Sequence, residues 1–309
     1  MFYWLFIVIL HNIYLILFNS NVSSIDDLNK TVYKHILKDN EKDVEQSVNV
    51  YKMGNKHSKK VIIFLSGSFR VSFDTYVQKM VTNLLVIEYI KNIYQLIVFE
   101  KLDKQTFVSV KDFETTVLTL NDEINIEELT IFGFSTGGVV ASRIMSGLKS
   151  LKCKKKIITY DTPYQVLDNV LYFENNTFYR PDFYFYYLIH KTYLNHFNYE
   201  EIKSLVKHDK WTNGAADFLQ MVLNVHNISY DEIYETTRFN FDQEKDTKII
   251  QIYCEYDPIV IRSLTDAYIK DNIRADTNMI NDCKKCIGHC SDMWSPGFDI
   301  ISIVNHIRS

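Results

Sequence analysis

The chain has 309 residues, 47% hydrophobic and 23% charged, which suffices for one large core or two modest ones and excludes a disordered or collagen-like polymer. A formal net charge of −4 and a pI near 6.1 leave no basic footprint for a phosphate backbone, so nucleic-acid binding is set aside. Nine glycines and four prolines are few for an all-β architecture of tight turns, and any cluster of glycines then needs a reason.

Residues 2–18 form an apolar stretch without a charged side chain, short for a membrane span of about 20 residues and interrupted by His11 and Asn12. With Val22 and Ser24 at the small-residue spacing of a cleavage site, residues 1–24 are expected to be a secretory signal. No Lys or Arg precedes the run, so an uncleaved signal anchor through residues 2–18 is the alternative. The expected location is therefore secreted or lumenal, with membrane anchoring second. Sequons at Asn21, Asn29, Asn175 and Asn227 agree with passage as a glycoprotein. Five cysteines leave at least one unpaired. Cys283, Cys286, His289 and Cys290 imitate zinc-ligand spacing, but a local disulfide within that cluster is the preferred reading in an oxidising compartment.

Beyond the leader, Glu45 to Met53 reads as a first strand or hairpin arm, and Lys60 to Ser66 as a strand buried on both faces. Apolar groups at helical spacing follow over 73–90, then a strand at 94–100 and a helix from Asp112 to Leu120. A strand from Leu129 to Phe134, a small-residue helix from Gly137 to Leu148 and a strand from Lys156 to Tyr160 continue the alternation. Strand and helix in turn predict an α/β fold, a mostly parallel doubly wound sheet covered on both faces. The regularity breaks at Asp161. From about 163 to 245 an aromatic-rich stretch (Tyr172 to Tyr187) and mixed helical segments read as an inserted helical cap within a domain spanning 25–309. The sheet resumes at Lys248 to Cys254, and a last strand, loop and helix run from about Thr277 through His289 to Ile307.

Gly133-Phe134-Ser135-Thr136-Gly137 closes an apolar strand and opens a small-residue helix, the context in which Gly-x-Ser-x-Gly forces its serine onto a sharp, strained turn. Glycines are needed at 133 and 137 because side chains there would strike the neighbouring helix and strand. The Thr136 amide then points toward a developing oxyanion. A serine hydroxyl needs a base and a group that orients the base. Asp257 directly follows the strand at 248–254, and His289 lies 32 residues beyond it, ahead of the C-terminal helix.

On these residues, segments 61–69, 128–164 and 248–291 resemble the α/β-hydrolase superfamily. Gly-Phe-Ser-Thr-Gly-Gly-Val-Val-Ala followed by Ile-Ile-Thr-Tyr-Asp-Thr-Pro-Tyr is similar to its thioesterase and lipase-like branch. The resemblance implies a catalytic triad of Ser135, Asp257 and His289. Some members carry the acid one strand earlier, which makes Asp161, 26 residues beyond Ser135, the alternative to Asp257. Asp257 is preferred because Asp-Pro-Ile-Val is the more characteristic loop and Asp161 can cap the segment before Pro163. Ser68, after the strand at 60–66, would supply the second oxyanion N–H beside that of Thr136, although the His-Gly common at this loop is replaced by Ser66-Gly67.

The implied activity is hydrolysis of a carboxylic ester or thioester through an acyl-enzyme, with no metal or organic cofactor required. The aromatic cap suggests a small-molecule or lipid substrate with an apolar acyl group, and contact with a membrane surface through the cap or the N-terminal segment. A catalytically silent binding module and a serine peptidase share the same elbow and stand as the alternatives.

Overall fold

The structure is a computed structural model that describes residues 29–39, 42–67, 75–101, 110–166, 168–169, 230–257, 260–287, 290 and 298–309. The leader, the aromatic stretch at 172–187, Ser68 and His289 lie outside these described residues.

Among the described residues fifteen elements follow one another: β1 (Asn29–Asp39), β2 (Lys42–Gly54), β3 (Lys60–Leu65), α1 (Thr75–Leu85), α2 (Glu88–Ile93), β4 (Gln95–Lys101), α3 (Lys111–Ile124), β5 (Glu128–Phe134), α4 (Gly137–Gly147), β6 (Lys154–Tyr160), α5 (Tyr230–Thr236), β7 (Lys248–Tyr256), α6 (Arg262–Asn272), β8 (Asn278–Ile287) and α7 (Ile300–Arg308). The strands form one eight-stranded sheet in the order β1-β2-β4-β3-β5-β6-β7-β8. From β4 to β8 every pairing is parallel, while the β1–β2 and β2–β4 pairs are antiparallel. The expected mostly parallel α/β sheet is thus the observed one.

The central strands read as continuous apolar runs because both of their faces are covered. On one face Val61, Ile63, Leu65, Leu129, Ile131 and Ile157 pack against Val117 and Leu120 of α3 and Ala141, Ile144 and Met145 of α4. Residues of the other parity, Ile62, Phe64, Phe132, Phe134, Ile158 and Tyr160, are equally buried on the opposite face. Phe132 stacks on Phe64 and on Phe134, with ring centroids 5.6 and 4.9 Å apart, and Tyr160 lies 5.8 Å from Phe134. Each such fully enclosed side chain contributes about 1.5–3 kcal/mol of transfer free energy, so this aromatic row stiffens the strand ends at which β5 and β6 stop.

The antiparallel β1 was not anticipated: its sequence alternates weakly because it is an edge strand that buries Tyr33 while Val32 stays exposed. The arm expected at 45–53 is its hairpin partner β2. The apolar run expected as one helix over 73–90 is divided between α1 and α2.

The chain divides into two compact units, one of Asn21–Tyr164 with Phe239–Ser309 and one of Gln165–Arg238 with Met1–Ser20. The sheet belongs to the first. At its border Phe239 N–H donates to the Tyr164 carbonyl at 2.7 Å, and the two rings stack with centroids 4.2 Å apart. In the second unit, α5 and an antiparallel bridge between Gln165 and Arg238 are described. Among the described residues no helix is long and apolar enough to cross a membrane.

Candidate active site

The site is built at the C-terminal ends of β5, β6, β7 and β8. β5 is buried along almost its whole length and ends at Phe134, after which Ser135 takes φ 49°, the left-handed region that a residue with a Cβ rarely adopts. Such a conformation costs on the order of 1–3 kcal/mol and persists only where the surroundings over-determine it. Here the Ser135 N–H donates to the Tyr160 carbonyl at 2.8 Å, and the Ser135 carbonyl accepts from Gly138 at 3.0 Å. Thr136 then returns to helical φ of −59° and its carbonyl accepts from Val139 at 3.0 Å, opening α4. Ser135 and Thr136 are each only 8% exposed.

The turn is this tight because two of its residues lack side chains. A Cβ on Gly133 would strike the backbone of Gly137, and one on Gly137 would sit 2.5 Å from the Ser66 carbonyl oxygen at the end of β3. Gly67, the next residue, passes so close that a Cβ there would strike the Ser135 Cβ and lie 2.5 Å from the Phe134 carbonyl oxygen. The loop after β3, which leads into Ser68, therefore runs directly beside the turn that carries Ser135.

Asp161 follows β6 with φ 46° and is wholly buried. Its Oδ1 accepts from the Cys254 N–H of β7 and its Oδ2 from the Cys290 N–H, both at 2.6 Å, while its own N–H donates to the Ile252 carbonyl at 2.9 Å. Asp257 stands one residue beyond β7, half-buried, with its Oδ1 accepting from the Val260 N–H at 2.9 Å. Tyr256 pairs with Ile287, so the two strand ends that lead into Asp257 and His289 are side by side. Cys290, the residue after His289, is wholly buried with φ 51°, and its thiol approaches the Tyr160 carbonyl at 3.8 Å. Ser135, Asp161 and Cys290 are thus all held at one dipeptide, Tyr160–Asp161.

The cysteines depart from expectation. Cys283 and Cys290 take part in no disulfide, the first exposed and the second buried, whereas Cys254 on β7 is disulfide-bonded. A bridge confined to the 283–290 cluster is thereby excluded, since it would need Cys283 or Cys290 as one of its two members. Among the described residues no group of three His, Cys, Asp or Glu could hold a metal ion. The close pass of Gly67 is the one its position just past the strand predicts. Sequence reading missed the double engagement of Asp161, which had no signal, since it depends on the backbone of Cys290 far along the chain.

No protein-family model and no curated protein matches the sequence. Solved structures do match. The esterase Pf2001 of Pyrococcus furiosus is similar over 92% of this chain and 93% of its own, with a TM-score of 0.55 and 14% identity. The α/β hydrolase GrgF of Penicillium sp. sh18 is similar over 91% of this chain and 98% of its own, with a TM-score of 0.55 and 11% identity. The sheet order, the parallel run from β4 to β8 and these full-length likenesses show that the chain has the α/β-hydrolase fold.

Proposed function

We propose that the protein is a serine hydrolase that cleaves a carboxylic ester or thioester with an apolar acyl group. The observation that carries this reading is Ser135 itself: a non-glycine residue held at φ 49° between a buried strand and a helix, with glycines wherever a side chain would block the turn. Strain of this kind collects where a group must project toward a reaction. The solved structures named esterase and hydrolase that share the fold lend the reaction class further support.

In the mechanism Ser135 Oγ attacks the acyl carbonyl as His289 takes its proton. The tetrahedral oxyanion is held by the amides of Thr136 and Ser68, where one such donor typically contributes about 2.7–4 kcal/mol. His289 then protonates the leaving alkoxide or thiolate, and a water activated by the same imidazole releases the acid and restores Ser135. Asp257 orients the imidazole. It is preferred to Asp161 because the strand that leads into Asp257 pairs with the one that leads to His289. The reading includes a secreted or lumenal protein with residues 1–24 as its leader, and a cap over about 163–245 that meets the acyl chain.

A panel of p-nitrophenyl esters and acyl thioesters of increasing chain length, assayed against wild type and Ser135→Ala, tests the proposal. Turnover that rises with acyl length and vanishes in Ser135→Ala is expected. Equal rates in the two proteins would refute the role of Ser135, and silence toward every substrate would leave a binding module of the same fold.

A further inference from the structure

Of the four described non-glycine residues with positive φ, three meet around Tyr160–Asp161: Ser135, Asp161 and Cys290. The fourth, Asn125, caps the end of α3. Strained residues that converge from three separate chain segments are held there by something, and the hydrogen bonds name it. Ser135 N–H is tied to the Tyr160 carbonyl at 2.8 Å, and Cys290 N–H to the Asp161 carboxylate at 2.6 Å. The other carboxylate oxygen takes the Cys254 N–H, also at 2.6 Å, three residues before Asp257. One buried side chain therefore spans the end of β7 and the segment that carries His289, from the residue next to the one that fixes the nucleophile.

Resting on the serine-hydrolase reading above, we propose that Asp161 is a positioning residue for the base: its carboxylate ties the backbone of Cys290, the residue that follows His289 in the chain, to the strand end that also holds the Ser135 N–H. Consecutive Cα atoms are about 3.8 Å apart across a trans peptide, so a restraint on the Cys290 amide is a restraint on the base. A carboxylate suits the task because both of its oxygens only accept, and it can receive two main-chain donors from different strands at once. A neutral side chain of the same shape offers one acceptor and one unwanted donor.

The test compares Asp161→Asn, Asp161→Ala and Asp257→Asn, with kcat expressed per site titrated by a fluorophosphonate. Loss of placement lowers kcat per titrated site with KM little changed, by about 10²-fold for a displacement near 1 Å. Asp161→Asn, which keeps one acceptor, should fall between wild type and Asp161→Ala, while Asp257→Asn should lose about 10⁴-fold. A role in stability alone would instead reduce the titratable fraction and leave kcat per site at the wild-type value, which overturns the proposal. A loss near 10⁴-fold in Asp161→Asn with Asp257→Asn close to wild type would make Asp161 the triad acid, overturning the positioning role while keeping the hydrolase. A wild-type protein that neither turns over nor labels refutes the hydrolase reading and this proposal with it. Should the Asp161 variants fail to fold, hydrogen exchange in the wild type decides: the Cys290 amide should be among the slowest in the protein, and exchange at the rate of an open loop would refute the restraint.

Discussion

At Ser135 the backbone is held in a conformation that glycine would adopt without cost and serine does not. Replacing Ser135, the proposed nucleophile, by glycine should therefore raise stability by about 1 kcal/mol while abolishing turnover, and urea unfolding beside an ester assay measures both. A Ser135→Gly variant less stable than wild type would show that the turn is unstrained. Gly67→Ala should do the opposite. Its Cβ would press on the Phe134 carbonyl and Ser135, costing about 1–3 kcal/mol and misplacing the elbow, so both the unfolding midpoint and kcat should drop. The elbow was legible in the sequence because its glycines stand where backbone meets backbone. The strain at Asp161 and Cys290 was not, since the partners that impose it are remote in the chain.

Between elements, polar side chains lock the helices to the strand ends. Lys155 of β6 is almost wholly buried, donates to the Leu148 carbonyl at the end of α4 at 2.7 Å and forms an ion pair with Glu244. Lys155→Met should cost about 1–3 kcal/mol, because the carbonyl loses its donor while the partly exposed Glu244 turns to water, and thermal unfolding measures the loss. On the other face, Asp282 of β8 meets Lys284 at 2.8 Å, Ser302 at 3.1 Å and His306 Nε2 at 2.6 Å, which docks α7 against the sheet. Burial pushes the Asp282 carboxyl up, but the hydrogen bonds from Lys284 and His306 and the Lys284 charge outweigh it and hold the group below the usual carboxylate range. A depressed folded value stabilises the protein above the unfolded value near 4, and that stability is lost as pH falls through the folded one. Asp282→Asn should flatten this acid limb in a series of unfolding curves, and an unchanged limb would place the acid sensitivity elsewhere. The strand and helix alternation was readable from apolar runs alone. β1 was not, because an edge strand needs no continuous apolar face, and neither was the engagement of Cys254 in a disulfide.

For the whole molecule, the chain leaves the sheet unit after Tyr164 and re-enters it at Phe239, where the two backbones are already hydrogen-bonded and the two rings stacked. A short glycine-serine linker in place of Gln165–Arg238 should accordingly leave the sheet unit folded, with a cooperative thermal transition, while turnover of long acyl esters falls more than that of acetate esters. Equal loss for both would remove the insert from any role in acyl selection. The central claim is that Ser135 is an activated nucleophile, and it is tested most directly by fluorophosphonate labelling of the folded protein with the adduct located by peptide mass spectrometry. The account predicts one stable adduct, on Ser135, absent from Ser135→Ala; a folded protein that takes no label, or takes it equally in the variant, would contradict it.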